Sequence, residues 1–446
     1  MKMKTKISPI ENPINHCIDS IPPDKSLSHR SVIFSFLSNK PSRVKNYLFA
    51  SDTINTLKIA IALGMQVKLD SNDYCINDIL KIKPKELNLI PPKGGVKEPN
   101  NVLDCGNAGT AMRLYTGFLA SKRGYFILNG DKYLRERPMG RIIKPLLNIG
   151  ANINARENNT LAPIGIKGCK LNSFNYHSEI SSAQIKSAMI LSALNIDSNS
   201  YFSEVEKSRD HTEKMLIAMG ANIEILDSNI VIHPLQKPLD SIDISIPSDP
   251  SSAFYFALLA ALHSNSKIVL KNILLNETRI EAFKILEKMG ANIEFKKREN
   301  IYEDIGDIIV RGNELKGVEV SNNISWLIDE LPALSIAFAC AKGKSIVRNA
   351  SELRVKESDR IASIINGLKS CGVECMELED GFIIEGGFKK TNKTISINSF
   401  FDHRIAMSFA ILGTKLDLEI VDSNCVNISF PNFFKILSKF ASVEEY

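Results

Sequence analysis

Six short polar clusters in this chain set Ser, Lys, Arg, Asp or Asn directly ahead of a run that is apolar on nearly every side. They are Asp24-Lys25-Ser26-Leu27-Ser28-His29-Arg30, Gly106-Asn107-Ala108-Gly109-Thr110, Glu179-Ile180-Ser181-Ser182-Ala183-Gln184, Ser248-Asp249-Pro250-Ser251-Ser252, Ile328-Asp329-Glu330-Leu331-Pro332 and Asp402-His403-Arg404. A run apolar all round predicts a buried helix. The start of a helix presents unpaired backbone N–H groups and the positive end of its dipole. Converging helix starts that carry Ser, Lys and Arg would therefore hold a ligand with several negative charges. The arrangement points to an enzyme for phosphorylated substrates.

Taken singly, each cluster also has a plainer reading. Ser182, Ser252 and Thr110 suit ordinary N-caps. Gly106 and Gly109 suit a turn, and their run has neither the Lys of a nucleotide-binding P-loop nor the spacing of a dinucleotide fingerprint. Glu136 and Arg137, ahead of Pro138, read equally as a solvated helix start. Residues 354–360 are harder to explain locally. Asp359 and Glu357 suit a helix start, whereas Arg354, Lys356 and Arg360 oppose its dipole, a conflict expected where a bound anion offsets it.

The clusters recur at intervals of roughly 70 to 80 residues. Within most intervals a second, amphipathic helix ends in a related phrase: Ala62-Leu63-Gly64-Met65, Asn148-Ile149-Gly150-Ala151, Ala218-Met219-Gly220-Ala221, Lys288-Met289-Gly290-Ala291 and Ser370-Cys371-Gly372-Val373. Each Gly fits a helix C-cap at positive φ, with a strand directly after it. The repeat reads as buried helix, strand, amphipathic helix and further strands, taken six times. In the sixth copy residues 431–440 supply the second helix, and the chain ends too soon for a closing strand. Residues 4–10 are expected to provide it, which places the extreme N-terminus in the C-terminal domain. The predicted class is α/β (α+β): a two-lobed inside-out barrel of six repeated helix-strand units, three per lobe. One lobe is residues 22–238, the other residues 1–21 plus 239–446. Crossings near Ser20-Ile21-Pro22-Pro23 and Lys237-Pro238-Leu239-Asp240 are short and contain Pro, as befits defined hinges that can close on a ligand.

A length of 446 residues exceeds what one core usually supports. Apolar content of 44% with 24% charged residues indicates folded, soluble domains. The formal charge of +5 could help steer an acidic metabolite, but the Lys/Arg blocks of a nucleic-acid binder are missing. Eight scattered cysteines include Cys371 and Cys375 with no matching ligand pair nearby, so neither a zinc site nor a disulfide framework is expected. No apolar stretch reaches membrane-spanning length without polar interruption. A cytoplasmic location is expected.

In order along the chain, seven motifs resemble the 5-enolpyruvylshikimate-3-phosphate synthase family of the shikimate pathway. These are Asp24-Lys25-Ser26 with Ser28-His29-Arg30, the run from Gly106-Asn107-Ala108-Gly109-Thr110 to Ala111-Met112-Arg113, Arg135-Glu136-Arg137-Pro138, Ser181-Ser182-Ala183-Gln184 with Lys186-Ser187-Ala188, Ser208-Arg209-Asp210-His211-Thr212-Glu213, Arg354-Val355-Lys356-Glu357-Ser358-Asp359-Arg360 and Asp402-His403-Arg404. The resemblance runs nearly end to end, and the family's two-domain, six-repeat fold agrees with the repeats. It implies transfer of the enolpyruvyl group of phosphoenolpyruvate to the 5-hydroxyl of shikimate 3-phosphate, with phosphate released through a tetrahedral adduct. It further implies a monomer acting on these two small molecules, with no cofactor, metal, nucleic acid or membrane partner.

By the same resemblance Lys25, Ser26 and Arg30 touch the shikimate part, and Ser181, Ser182 and Arg209 hold its 3-phosphate. Lys356 and Asp329 belong to the same acceptor set, and Gln184 lies between the two substrates. Phosphoenolpyruvate falls to Arg137, Arg360 and Arg404, aided by Lys25 and Gly109. Asp329 is implied as base toward the hydroxyl, Glu357 as the proton-transfer group at the methylene carbon, and Lys25 as a helper at the departing phosphate. Two departures stand out: Pro22-Pro23 where the family usually has Gly before Asp-Lys-Ser, and Asn427-Ile428 where a Lys commonly precedes Ser429-Phe430-Pro431. The missing cation predicts weaker binding of phosphoenolpyruvate. The alternative on the same fold, UDP-N-acetylglucosamine enolpyruvyl transferase, typically has Asn after the first Lys and a reactive loop Cys. This chain has Ser26, and residues 122–137 contain no Cys. A catalytically silent phosphometabolite-binding protein would keep the anion sites, but it would not need Asp329 and Glu357.

Overall fold

In a computed structural model that describes residues 3–69, 72–388 and 393–446, the chain divides into two compact units. One is Pro23–Ile246, and the other joins Met1–Pro22 to Pro247–Tyr446. Each contains three sheets built on one plan. A short strand leads into a buried helix, and the strand after that helix returns parallel to the first. Two more strands then continue the sheet antiparallel. Leu103–Asp104, the helix Gly109–Leu119 and Tyr125–Asn129 form one such parallel crossover, which Leu161–Lys167 and Asn152–Ala155 extend. A parallel pair needs a crossover, and the buried helix is that connection.

The first strands of two repeats are exchanged along the chain. Asp243–Ser245 pairs parallel with Ser42–Lys45 in the Pro23–Ile246 unit, while Asn15–Ile18 pairs parallel with Lys267–Leu274 in the other. The division accordingly falls at Ile246 and Pro247 rather than near Lys237-Pro238-Leu239-Asp240. Residues 243–245 are still bound into the first unit's sheet, and Arg43 grips Asp243 there through two hydrogen bonds of 3.0 and 2.5 Å.

Lys4–Ile7 closes the sixth repeat, antiparallel to Leu418–Val421 with Thr5 opposite Ile420. The C-terminal residues, expected to be too few for a strand, form Val443–Glu445 on the other side of Lys4–Ile7. The second helix of this repeat is Phe433–Leu437, shorter than the expected 431–440.

The buried helices are Lys25–Phe34, Gly109–Leu119, Ala183–Ala193, Pro250–Leu262, Leu331–Cys340 and His403–Gly413. Their close approach has a sequence cause in one case: a Cβ on Gly117 would lie 2.2 Å from the Ala188 carbonyl oxygen, so only Gly lets these two helices meet. The five C-cap glycines Gly64, Gly150, Gly220, Gly290 and Gly372 all have φ between 73° and 119°, a region that other residues enter only at a cost. No described helix is long and apolar enough to cross a membrane.

Ile7 is fully buried in the central position of its sheet and sits against Gly413. Ile7→Ala should therefore cost about 2–5 kcal/mol in urea-induced unfolding. A wild-type midpoint would show that the N-terminal strand contributes nothing to the unit it enters.

Candidate active site

In the Pro23–Ile246 unit the basic residues cluster around three helix starts. Asp24 caps the Lys25–Phe34 helix by accepting from Leu27 N at 2.7 Å, which fixes the first turn carrying Lys25 and Ser26. Lys25 Nζ contacts the carboxylate of Asp52, at the start of the Ser51–Ala62 helix. Arg30 is buried one turn on. Its Nε donates to Thr212 Oγ1 at 2.8 Å, its Nη2 to Ser187 Oγ at 3.0 Å and its Nη1 to the Ser26 carbonyl at 3.2 Å. Neighbouring His29 is held well below the usual imidazole range by burial, with the charges of Lys25 and Arg30 adding to the effect. It is neutral at physiological pH and takes Thr56 as partner at 2.6 Å.

The Gly109–Leu119 and Ala183–Ala193 helices are joined at their starts. Gln184 donates to Thr110 Oγ1 at 2.9 Å and accepts from Arg113 Nη1 at 2.5 Å. Arg113 also reaches the Pro138 carbonyl at 3.2 Å. A Cβ on Gly109 would lie 3.0 Å from Arg113 Nη1 and 3.2 Å from Arg137 Nη1, so the absent side chain leaves room for two guanidinium groups beside the helix start. Ser182 occupies the N-cap position without a side-chain capping bond, while Ser181 Oγ accepts from Glu206 N at 3.0 Å. The simple N-cap reading holds in position for Ser182 and fails for Thr110 and Ser252. Thr110 lies inside its helix, and Asp249 caps the helix of Ser252. Arg209, half-buried, directly precedes Asp210 and the His211–Ala218 helix.

The other unit assembles its charges around one guanidinium. Arg360, almost completely buried, donates from Nε to Asp402 Oδ2 at 2.8 Å and from Nη2 to Glu357 Oε2 at 2.6 Å, with Asp329 Oδ1 3.5 Å from Nη1. Asp402 simultaneously caps the His403–Gly413 helix by accepting from Arg404 N at 2.8 Å. Arg404 Nη2 lies 4.0 Å from Asp329 Oδ2. Burial pulls the pKa of both guanidinium groups down, but the carboxylates more than offset it: Asp402, Glu357 and Asp329 for Arg360, and Asp329 first for Arg404. Tyr255 faces Arg404 and is pushed up to about 12, burial outweighing the pull of that cation. Lys356, adjacent to Glu357 in the chain, stands 3.6 Å from Glu352.

The local conflict at residues 354–360 is resolved within the fold. Arg354 is spent on Asp359 and Glu377, each at 2.8 Å, and on the Leu378 and Glu379 carbonyls. Asp359 caps the Arg360–Ser370 helix. The start tolerates its cations because carboxylates surround them, so the expectation that a bound anion must offset the clash does not hold for Arg354. Among the described residues no group of three or more His, Cys, Asp or Glu side chains could hold a metal ion.

The profile of the family described as EPSP synthase (3-phosphoshikimate 1-carboxyvinyltransferase) matches residues 10–437. The chain belongs to the EPSP synthase family. It is 55% identical over 442 residues to the 3-phosphoshikimate 1-carboxyvinyltransferase of Campylobacter concisus, covering 99% of both chains. The protein of the same description from Campylobacter jejuni is 54% identical over 443 residues, covering 99% of this chain and 100% of the relative. The solved EPSP synthase of Acinetobacter baumannii has a TM-score of 0.85 at 34% identity, with 100% of both chains covered.

Against the residue set implied by the EPSP synthase resemblance, the structure adds partners that motif reading did not supply. Asp52, Arg113, Ser187, Thr212 and Asp402 hold Lys25, Gln184, Arg30 and Arg360 in place. Arg113, Ser187, Thr212 and Asp402 stood inside quoted motifs, but their spacing alone assigned them no target. Asp52 carried only the weak signal of an acidic residue near a helix start. Asp402→Asn keeps an N-cap acceptor and removes the charge facing Arg360. It should lower stability by about 1.5–3 kcal/mol in chemical denaturation, the scale of one charge-assisted contact. Wild-type stability would mean that Glu357 suffices to hold the guanidinium.

Proposed function

We propose roles for these residues in the reaction of the family. As a member of the EPSP synthase family the chain is an enzyme that transfers the enolpyruvyl group of phosphoenolpyruvate to shikimate 3-phosphate, in the shikimate pathway. The observation that carries the assignment of roles is the placement of two carboxylates, Asp329 and Glu357, on the same buried guanidinium of Arg360, with Arg404 beside Asp329. Planar guanidinium forks match a carboxylate and a phosphate ester, so Arg360 and Arg404, with Arg137, Lys25, Gln184 and the backbone at Gly109, bind phosphoenolpyruvate. Lys25, Ser26, Arg30, Ser181, Ser182, Gln184, Arg209, Asp329 and Lys356 bind shikimate 3-phosphate. Arg209 and the start of the Ala183–Ala193 helix face its phosphate.

In the chemical step Asp329 takes the proton of the 5-hydroxyl as its oxygen bonds to C2 of phosphoenolpyruvate. Glu357 delivers a proton to C3, giving a tetrahedral adduct. Loss of a proton from C3 back to Glu357 restores the double bond as the C2–O bond to phosphate breaks, with Lys25 stabilising the departing oxygen and the proton held by Asp329 ending on the released phosphate. A general acid and base within reach of the same cations suit both directions of transfer. The nucleotide-sugar alternative needs a reactive thiol, and Cys105 is fully buried with its thiol pushed up by that burial. A cytoplasmic monomer is part of the proposal. The highly charged substrates do not cross bilayers freely, and a single chain carries every residue named.

Phosphorus NMR of the purified protein should show phosphate release with phosphoenolpyruvate and shikimate 3-phosphate and none with UDP-N-acetylglucosamine. Turnover of the nucleotide sugar alone would overturn the reading, and no turnover of either would favour the binding protein. Arg404→Ala should weaken phosphoenolpyruvate by about 1.5–3 kcal/mol, one to two powers of ten in calorimetric titration. Normal donor affinity together with normal kcat/KM would remove Arg404 from the site.

A further inference from the structure

Behind the start of the Ala183–Ala193 helix lies a buried charge cluster that the chemical step does not use. Lys186, 1% exposed, has its ammonium 2.7 Å from Glu204 Oε1, 2.8 Å from Glu213 Oε1 and 3.2 Å from the Ser208 carbonyl oxygen. Those are three acceptors for three N–H donors. Glu204 Oε1 also accepts from Ser208 N at 2.8 Å. The peptide groups on both sides of Ser208 are thus held, the second being the one that leads into Arg209.

The same cluster reaches the other phosphate-facing groups. Glu206, two residues before Ser208, donates its N–H to Ser181 Oγ. Ser187, next to Lys186 on the helix, bonds Arg30 at 3.0 Å and Thr212 at 2.6 Å, and Thr212 in turn adjoins Glu213. We propose that Lys186, with Glu204 and Glu213, is a positioning residue for the acceptor's 3-phosphate: it fixes the Ser208-Arg209 turn in register with the Ser181-Ser182 helix start. The inference rests on the assignment of Ser181, Ser182 and Arg209 to that phosphate.

Stability alone does not account for the cluster. Burying one ammonium and two carboxylates carries a desolvation cost, and packed apolar side chains of similar volume often serve a core equally well. The outer oxygens of Glu204 and Glu213 have no hydrogen-bond partner among the described residues. Burial pushes Glu213 up despite the nearby ammonium, while the two carboxylates hold Lys186 up against its own burial. What the ions provide that apolar residues cannot is a directional hold on the N–H and C=O groups of a turn.

Steady-state kinetics on Lys186→Met, Lys186→Arg and Arg209→Ala provide the test. Because Lys186→Met leaves two carboxylates facing each other in the interior, the triple variant Lys186→Met, Glu204→Gln, Glu213→Gln, which removes every charge at similar volume, is measured beside it. Circular dichroism checks each variant's fold. The expected result is a rise of about tenfold or more in KM for shikimate 3-phosphate. For Lys186→Met and the triple variant kcat and KM for phosphoenolpyruvate should stay within about threefold, and Lys186→Arg should recover most of the loss in KM for shikimate 3-phosphate. If folded Lys186 variants keep the wild-type KM while Arg209→Ala raises it, the positioning role is wrong. A parallel loss in kcat and in both KM values would mark a general structural role and overturn the proposal equally. If Arg209→Ala leaves KM unchanged, the phosphate assignment fails first and the inference falls with it.

Discussion

A cation at the start of a helix works against the helix dipole, and this chain places Lys25, Arg360 and Arg404 in that position. Each is tolerated because the fold brings a carboxylate from another element to meet it. Lys25 meets Asp52, Arg360 meets Asp402 and Glu357, and Arg404 faces Asp329. Asp402 has two duties, since it caps the helix bearing Arg404 while bonding a guanidinium that begins a different helix. The packing of buried helices in each unit is therefore tied to the placement of charge: a shift of one helix start would strand an ion in a medium where unpaired charge is costly.

The same pairing shapes the chemistry. Asp329 and Glu357 hold Arg360 and also stand where proton transfer is proposed, so an anion that takes up the guanidinium N–H groups competes with them directly. Carboxylates displaced from a cation in this way hold protons more readily. On the proposed roles, structural support and reactivity would draw on one set of atoms, so conservative replacements at these positions would affect both.

The strand exchange gives the two crossings a structural reason. Asn15–Ile18 completes a sheet of the unit that holds Pro247–Tyr446, Asp243–Ser245 completes one of the Pro23–Ile246 unit, and Lys4–Ile7 lies between Leu418–Val421 and Val443–Glu445. Both ends of the chain are thereby paired within one sheet. Pro22 sits at the first crossing with its carbonyl accepting from Asp249 N at 2.9 Å, a bond that needs no N–H from the proline itself.

The repeat, the buried helices, the C-cap glycines and the assignment of the N-terminal strand to the last repeat could all be read from the sequence. They rest on period and on local φ preference, whereas the premise that too few residues remain after 440 for a strand failed, since Val443–Glu445 pairs beside Lys4–Ile7. The clusters at the helix starts could be read as anion-binding for the same local reason. The tertiary structure alone decided which carboxylate answers which cation. Asp52 and Asp402 resemble any acidic residue at a helix start, and Arg354 looked as suited to a ligand as Arg360. It also decided that the second crossing waits until Ile246, because three residues beyond the expected hinge complete a distant strand pair. A charge in a sequence states what it can attract, but its partner depends on which groups the fold brings within a few ångströms and shields from water.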